Sequence, residues 1–322
     1  MMKILAIESS CDETAVAIIE KGRHVLFNQV ASQINRHRRY GGVVPELASR
    51  LHTEMLPVLL SQAEITCDFS LLDGIAVTQG PGLEGSLLVG VTAASVMSFV
   101  LKKPLIGVSH LQGHIYAHFL SERPPSFPFL ALTISGGHTQ LVLMKDHGKW
   151  ELMGQTRDDA VGEAFDKVAR LLRLGYPGGP EIERLALKGD AFAFPVPQPL
   201  KYDPYAFSFS GLKTAVMQVV QRYEKDIPLA DIAASFQHAV IQVLLFKAKK
   251  ALDQTGCETL LLCGGVAANR TLSEAFKQIF GQKVWVLDPK LCTDNAAMIG
   301  AAAYYLHVHQ LCPDLPLSVY SS

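Results

Sequence analysis

ILAIESSCDETAVAIIE (residues 4–20) and FLALTISGGHTQLVLMK (residues 129–145) are two versions of one pattern. They align at a constant offset of 125 residues; Ala6/Ala131, Ser10/Ser135 and Thr14/Thr139 are identical, and the flanking apolar positions match. Each reads as strand, small-residue turn, strand. A match this short can arise by chance. Read as a duplication, it predicts an α/β fold of two lobes, with one turn from each facing a common cleft. The surrounding pattern agrees with that class. Residues 25–31, 74–78 and 105–108 read as further strands, and residues 45–63, 85–101 and 110–120 as helices. Strands separated by helices indicate α/β architecture. Pro124, Pro125 and Pro128 mark a hinge between the halves, and Pro195, Pro197, Pro199 and Pro204 a surface loop.

Composition narrows the function. The chain has 322 residues, with 29 Lys+Arg against 30 Asp+Glu and a formal net charge of -1. That excludes a generally basic nucleic-acid binder; any RNA contact must be local or shared with partners. With 49% hydrophobic and 18% charged residues it is too apolar for disorder. The longest uncharged run, residues 85–101, is 17 residues long and reads as a buried helix, not a membrane span. A strand begins at residue 4, so no signal peptide is expected. The six cysteines, Cys11, Cys67, Cys257, Cys263, Cys292 and Cys312, form no C-x-x-C pair. They read as small core residues of a reduced, cytoplasmic protein.

Three glycine-rich turns raise a phosphate question. ISGGHT (residues 134–139) allows close backbone approach to a ligand and reads equally as a tight hairpin turn. CGGVAANR (residues 263–270) leads from a strand towards a helix, where an anion or nucleotide can sit; Asn269 is either a ligand amide or a helix cap. Gly80-Pro81-Gly82-Leu83-Glu84-Gly85 fits G-x-G-x-x-G literally. Pro81 lacks an N–H, Glu84 would repel a pyrophosphate, and Lys102 and Lys103 stand where a ribose-binding acid belongs. It is a packing turn. No P-loop is present.

HLQGH puts His110 and His114 at i and i+4, on one helical face. Leu111 stands where a metalloprotease has its general base, which disfavours a metallopeptidase. Asp294, just before an Ala-rich helix, is either a third ligand or the cap of that helix. Two histidines and a carboxylate suit Fe(II) or Zn(II).

The motifs together, in chain order, carry a resemblance. IESSCDETA, YGGVVPELASR, QGPGLEGSLLVG, HLQGHIYAH, ISGGHTQL, DDAVGEAFDKVARLL, YPGGPEIE, FSFSGLKTAV, IAASFQHAV, CGGVAANR and CTDNAAM run from about Lys3 to Ala303. The chain resembles the universal tRNA threonylcarbamoyladenosine family in its bacterial, TsaD-type form, once taken for glycoproteases. The resemblance implies the two-lobed fold of the actin and sugar-kinase (ASKHA) superfamily, with ribonuclease-H-like sheets. Its lobes would be residues 1–122, with 295–322 packing back, and 123–294. It implies transfer of threonylcarbamoyl from threonylcarbamoyl-AMP to N6 of adenosine 37 in tRNAs reading ANN codons, releasing AMP. The implied metal ligands are His110, His114 and Asp294, with Fe(II) favoured and Zn(II) possible. Thr133, Ile134, Ser135, Gly136, Gly137, Asp166, Gly179, Glu183 and Asn269 fall on adenylate-binding positions. The implied partners are tRNA and TsaB-like and TsaE-like proteins, with no membrane.

Such a donor is already activated, so the protein must orient an aromatic amine and stabilise developing charge. The 135–137 backbone would cradle the phosphate, and Asp166 and Glu183 would meet the ribose hydroxyls. Asp12 and Glu13 are catalytic candidates: one accepts the proton of the attacking amine, or both only shape the turn. Two departures stand out. Leu51 replaces the family's usual Asp between Arg50 and His52, and Arg36, Arg38 and Arg39 make residues 36–39 unusually basic. That cluster reads as a solvated helix face or as a tRNA-backbone contact. The main rival function is an ATPase or small-molecule kinase on the same fold, which the His-rich set opposes because Mg²⁺ prefers oxygen ligands.

Overall fold

The computed structural model describes residues 2–196 and 203–321; Pro197 and Pro199 of the expected surface loop lie outside the described residues. The chain opens with β1 (Lys3–Glu8), β2 (Glu13–Glu20), β3 (His24–Ser32), α1 (Ile34–His37) and α2 (Pro45–Thr66). It continues through β4 (Gly74–Gly80), α3 (Glu84–Leu101), β5 (Leu105–Ser109) and α4 (His110–Tyr116). Next come β6 (Phe129–Ile134), β7 (Thr139–Asp146), β8 (Lys149–Gln155), α5 (Val161–Leu171), α6 (Gly178–Ala186), α7 (Ser210–Val220) and α8 (Leu229–Thr255). The chain closes with β9 (Leu260–Cys263), α9 (Arg270–Phe280), β10 (Val284–Val286), α10 (Pro289–Cys292) and α11 (Ala296–Val308). There are two compact units, Met1–Pro125 with Lys290–Ser322, and Ser126–Pro289. Asp294 therefore belongs with the first unit.

Each unit holds a five-stranded sheet, ordered β3-β2-β1-β4-β5 in the first and β8-β7-β6-β9-β10 in the second. β1 runs antiparallel to β2 and parallel to β4; β6 runs antiparallel to β7 and parallel to β9. The duplication read from one hairpin thus extends to the whole sheet, and the fold is α/β.

The apolar run of β1 follows from burial on both faces. Leu5 and Ile7 pack in one cluster with Leu56 and Leu59 of α2 and Val91 and Ala94 of α3. On the other face α11 lies so close that a Cβ on Gly300 would come within 2.6 Å of Ile19 and 3.3 Å of Ala6. α2 starts on Pro45, whose missing N–H costs nothing in a first turn, with Glu46 beside it at the positive end of the helix.

α3 corrects one expectation. It is not a buried helix: Ser86, Leu87, Gly90, Val91 and Ala94 face inward, while Leu88, Val96, Phe99 and Val100 are exposed, Phe99 by 85%. An absence of charge therefore marks a helix without telling which of its faces is covered. By length and composition both α3 and α8 could cross a membrane, but α8 is mostly buried inside its own unit.

The 80–85 loop packs as expected. The Leu83 N–H donates to the Ser10 carbonyl at 2.7 Å, and a Cβ on Gly82 would sit 2.5 Å from that same oxygen. In the second unit Gly264 has φ +88°, and its Cβ would meet the Ile134 carbonyl at 2.6 Å. Gly264→Ala is therefore expected to destabilise the protein by about 1–3 kcal/mol, through strain and overpacking together. Gly211→Ala in α7, where nothing lies within 4 Å of the added carbon, is the matched control and should cost nothing. Urea midpoints compare the two; equal losses would refute the close-packed turn.

Candidate functional site

Three polar side chains meet in the first unit. α4 begins at His110, so His110 and His114 share its inner face and are 6% and 1% exposed. Their Nε2 atoms lie 3.2 Å apart, and Asp294 Oδ1 lies 3.5 Å from one and 3.2 Å from the other. Donor atoms at the corners of a tetrahedron with bonds of ~2.0–2.1 Å are separated by roughly 3.4 Å. The donor set and its spacing fit a divalent Fe or Zn ion. His118 falls outside the group because α4 tightens to a 3-10 turn at Ala117–Leu120, which breaks the i+4 row.

Asp294 is not the cap of α11. That task belongs to Asn295, whose side chain accepts the Met298 N–H at 3.1 Å, leaving the Asp294 carboxylate to face the histidines.

Sequence reasoning missed the support behind His110. Glu8 has no exposed surface; its Oε2 lies 3.1 Å from His110 Nδ1 and accepts the Thr78 hydroxyl at 2.6 Å, while its Oε1 accepts the Ser10 N–H at 2.6 Å. The signal was a lone carboxylate at the end of the apolar run KILAIE. A histidine that donates from Nδ1 to a carboxylate keeps Nε2 free for a metal.

Burial opposes charge at this cluster, and charge wins at His110 and Asp294 but not at His114. Burial lowers His110, but Asp294 and Glu8 outweigh it and raise the ring to about 9. Burial raises Asp294, but His110 and His114 bring it down to about 2. His114, dominated by burial, is lowered.

Asp12 and Glu13 follow β1 on the same unit, Asp12 being 8% exposed. Burial, with Asp12 and Asp294 nearby, pushes Glu13 up to about 10, so it carries its proton at neutral pH and would have to lose it before acting as a base. Burial and Asp12 push the Cys11 thiol well up, so Cys11 is no nucleophile.

In the second unit the remaining candidates form a closed chain of contacts. The Ser135 and Gly136 carbonyls accept the Gly162 and Glu163 N–H groups at 3.2 and 3.1 Å, which ties the turn to the start of α5. Asp166 on α5 accepts the Gly178 N–H at 2.6 Å. Glu183 on α6 accepts the Arg270 and Thr271 N–H groups at 2.7 and 3.2 Å. Asn269 caps α9 through Leu272 at 2.8 Å and donates to Gln237 at 3.0 Å. Gly264 returns the path to Ile134. These residues lie around the carboxyl ends of β6 and β9, where open α/β sheets hold ligands. A side-chain carbon added at Gly136, Gly137 or Gly179 would meet nothing within 4 Å, and the Thr133 hydroxyl is buried without a partner.

One expectation changes here. The start of α9 is not an open anion site, because the Glu183 carboxylate already takes its first two N–H groups.

The sequence profile described as "TsaD: tRNA N6-adenosine threonylcarbamoyltransferase" matches residues 24–301. A protein of that name from Symbiobacterium thermophilum is 55% identical over 324 residues, covering 98% of this chain and 94% of the relative. One from Staphylococcus aureus MRSA252 is 50% identical, covering 99% and 96%. Among solved structures, HypF from T. kodakarensis superposes with TM-score 0.69 at 14% identity, over 99% of this chain and 50% of HypF. The ROK hexokinase from Thermus thermophilus superposes with TM-score 0.51 at 14% identity, over 96% of this chain and 100% of the hexokinase. The two structures share the ASKHA-type fold with this chain.

His110→Ala, His114→Ala and Asp294→Ala are each expected to lower affinity for Zn²⁺ or Fe²⁺ at least about tenfold, read by metal analysis after dialysis; full content in all three would sink the site. The pH dependence has a definite sign. In the apo protein His110 is raised above its unfolded value, so its stabilisation is complete below pH ~6.5 and lost as pH rises through about 9. A metal needs the neutral ring. Zn²⁺ affinity should therefore climb about tenfold per pH unit below about 9, measured by competition with a chelating dye; a flat profile contradicts the protonated His110.

Proposed function

The chain belongs to the tRNA N6-adenosine threonylcarbamoyltransferase family, and from that premise we propose that its donor is threonylcarbamoyl-AMP and its acceptor N6 of adenosine 37 in tRNAs reading ANN codons, with AMP released. The enzyme is a transferase that modifies tRNA. The observation that carries the finer reading is the His110–His114–Asp294 cluster, its two histidines buried, with Asp294 close enough to act on Glu13 of the acidic turn. A mixed carbamic–phosphoric anhydride needs no protein nucleophile, and the thiol of the acidic turn, Cys11, keeps its proton.

His110, His114 and Asp294 would hold one divalent ion per subunit, Fe(II) or Zn(II), which when bound polarises the donor carbonyl and binds its oxygens. Glu8 fixes the His110 ring for that task. Asp12 takes the proton that the attacking amine sheds, and protonated Glu13 donates a hydrogen bond. In the second unit, the 135–137 backbone cradles the phosphate. The ribose hydroxyls meet the Asp166 and Glu183 carboxylates. Asn269 has one amide hydrogen beyond its cap and its Gln237 bond. Three features support these assignments: the open space over Gly136, Gly137 and Gly179, the orphan Thr133 hydroxyl, and the ring of contacts that gathers these residues.

TsaB-like and TsaE-like proteins are the proposed partners, and the cytoplasm the proposed compartment. An apolar groove of about 500 Å³ between α2 and α3, lined by Leu56, Pro57, Leu60, Leu88, Val89 and Ala93, supports a protein partner.

Mass spectrometry of tRNA nucleosides after depletion of the protein tests the reaction: the N6-threonylcarbamoyl nucleoside should disappear, and its persistence would overturn the reading. Asn269→Ala and Gly137→Val should each weaken AMP binding about tenfold or more, since each removes or obstructs roughly one good hydrogen-bonding contact. Titration calorimetry measures this. Unchanged affinity in both would move the adenylate elsewhere.

A further inference from the structure

The chain as a whole is nearly neutral, yet residues 33–50 contain four arginines and a single carboxylate, Glu46. Three of the arginines, Arg36, Arg38 and Arg39, lie on α1 and the 3-10 turn that follows it (Arg38–Tyr40), and all three are exposed. Tyr40 is 54% exposed, and the Arg39 guanidinium stacks over its ring at 4.8 Å. A flat guanidinium and a phenol side by side are the surfaces on which unpaired RNA bases stack, while arginines contact the phosphates.

The turn is held in place. The Val44 N–H donates to His37 Nδ1 at 3.2 Å, which leaves the proton on Nε2, directed at Gln33 Oε1 at 3.0 Å. Burial keeps His37 below its ordinary value, so this neutral arrangement persists at physiological pH. The Gln33 amide nitrogen reaches the Ala48 carbonyl at 3.3 Å, and the Gln33 backbone N–H donates to the Asp12 carbonyl at 2.9 Å. One residue earlier, the Ser32 hydroxyl donates to Glu13 Oε1 at 3.0 Å. The basic turn is thus bonded through its first residues to the acidic turn, and it starts at the edge of the candidate centre.

We propose that the Arg36–Tyr40 turn grips the unpaired strand of the substrate tRNA beside the acceptor adenosine, with the arginines on phosphates, Tyr40 under a base, and buried His37 and Gln33 fixing the turn against Asp12. The proposal rests on the reading of this chain as a tRNA-modifying enzyme. An acidic protein partner would use the arginines but not an aromatic stack, and the test separates the two.

The full-length chain is titrated against an unmodified transcript of an ANN-reading tRNA across a salt series. Arg36→Ala/Arg38→Ala/Arg39→Ala should flatten the log–log salt slope by about 2, at roughly 0.7 per phosphate on a single strand. Tyr40→Ala should weaken binding at least about fivefold with the slope unchanged, and Tyr40→Phe should restore it. AMP binding should be untouched in all variants. A wild-type slope no steeper than that of the triple variant, including the absence of any measurable binding, overturns the proposal. So does a triple variant that keeps its tRNA affinity but loses a protein partner. Failure of the function itself reads differently: the nucleoside would persist in depleted cells whatever the salt slopes are.

Discussion

A carboxylate with no exposed surface is the constraint on which the first unit turns. Burying an ionised group is expensive unless its oxygens are hydrogen-bonded and an opposite charge stands close. Glu8 meets both conditions with partners from four segments: the Ser10 N–H just after β1, Thr78 on β4, His110 at the β5–α4 junction and, through His110, Asp294 before α11. The carboxyl ends of three adjacent strands and the start of a distant helix are thereby held to one another. Removing His110 would leave the Glu8 charge buried without its counter-charge, so the cluster fixes geometry even where it adds little net stability.

The two sheets have the same strand order but serve different chemistry. In the first unit the hairpin turn carries side-chain charge: Asp12 and Glu13, with Glu8 at the strand end. In the second the matching turn carries glycines and hydroxyls, with open space above the backbone. Duplication conserves what the sheet needs, central strands that are apolar on both faces, and leaves the turns free to differ. The second unit also carries α5 to α8 between β8 and β9, where the first has only α1 and α2 between β3 and β4. It is on the added helices α5 and α6 that Asp166 and Glu183 sit.

Legibility in the sequence followed from how local each cause was. The hairpins could be read because each strand is a short, continuous apolar run bounded by turn residues, and His110 and His114 because a helix fixes their spacing. Asp294 was ambiguous: only the third dimension shows that Asn295 caps α11. Glu8 looked like the edge of a strand, since its partners are 70 and 102 residues away. Glu183 at the start of α9 was invisible for the same reason, 87 residues separating it from Arg270. α3 misled because its outer face is as apolar as its inner one, and composition cannot say which residues another surface covers.

The division of the chain has a consequence in time. The second unit is one continuous stretch, whereas the first is completed only by Lys290–Ser322. Domains tend to fold as units while the chain emerges from the ribosome. The interrupted unit must therefore wait, its sheet already synthesised but lacking the cover that α11 gives to β1 and β2, while the intervening unit is made and folds. Asp294 is added only after the second unit has been made. A nascent or truncated chain that stops short of it has both histidines and the Glu8 support but no closing carboxylate, so the centre assembles only on chains extended past the whole second unit.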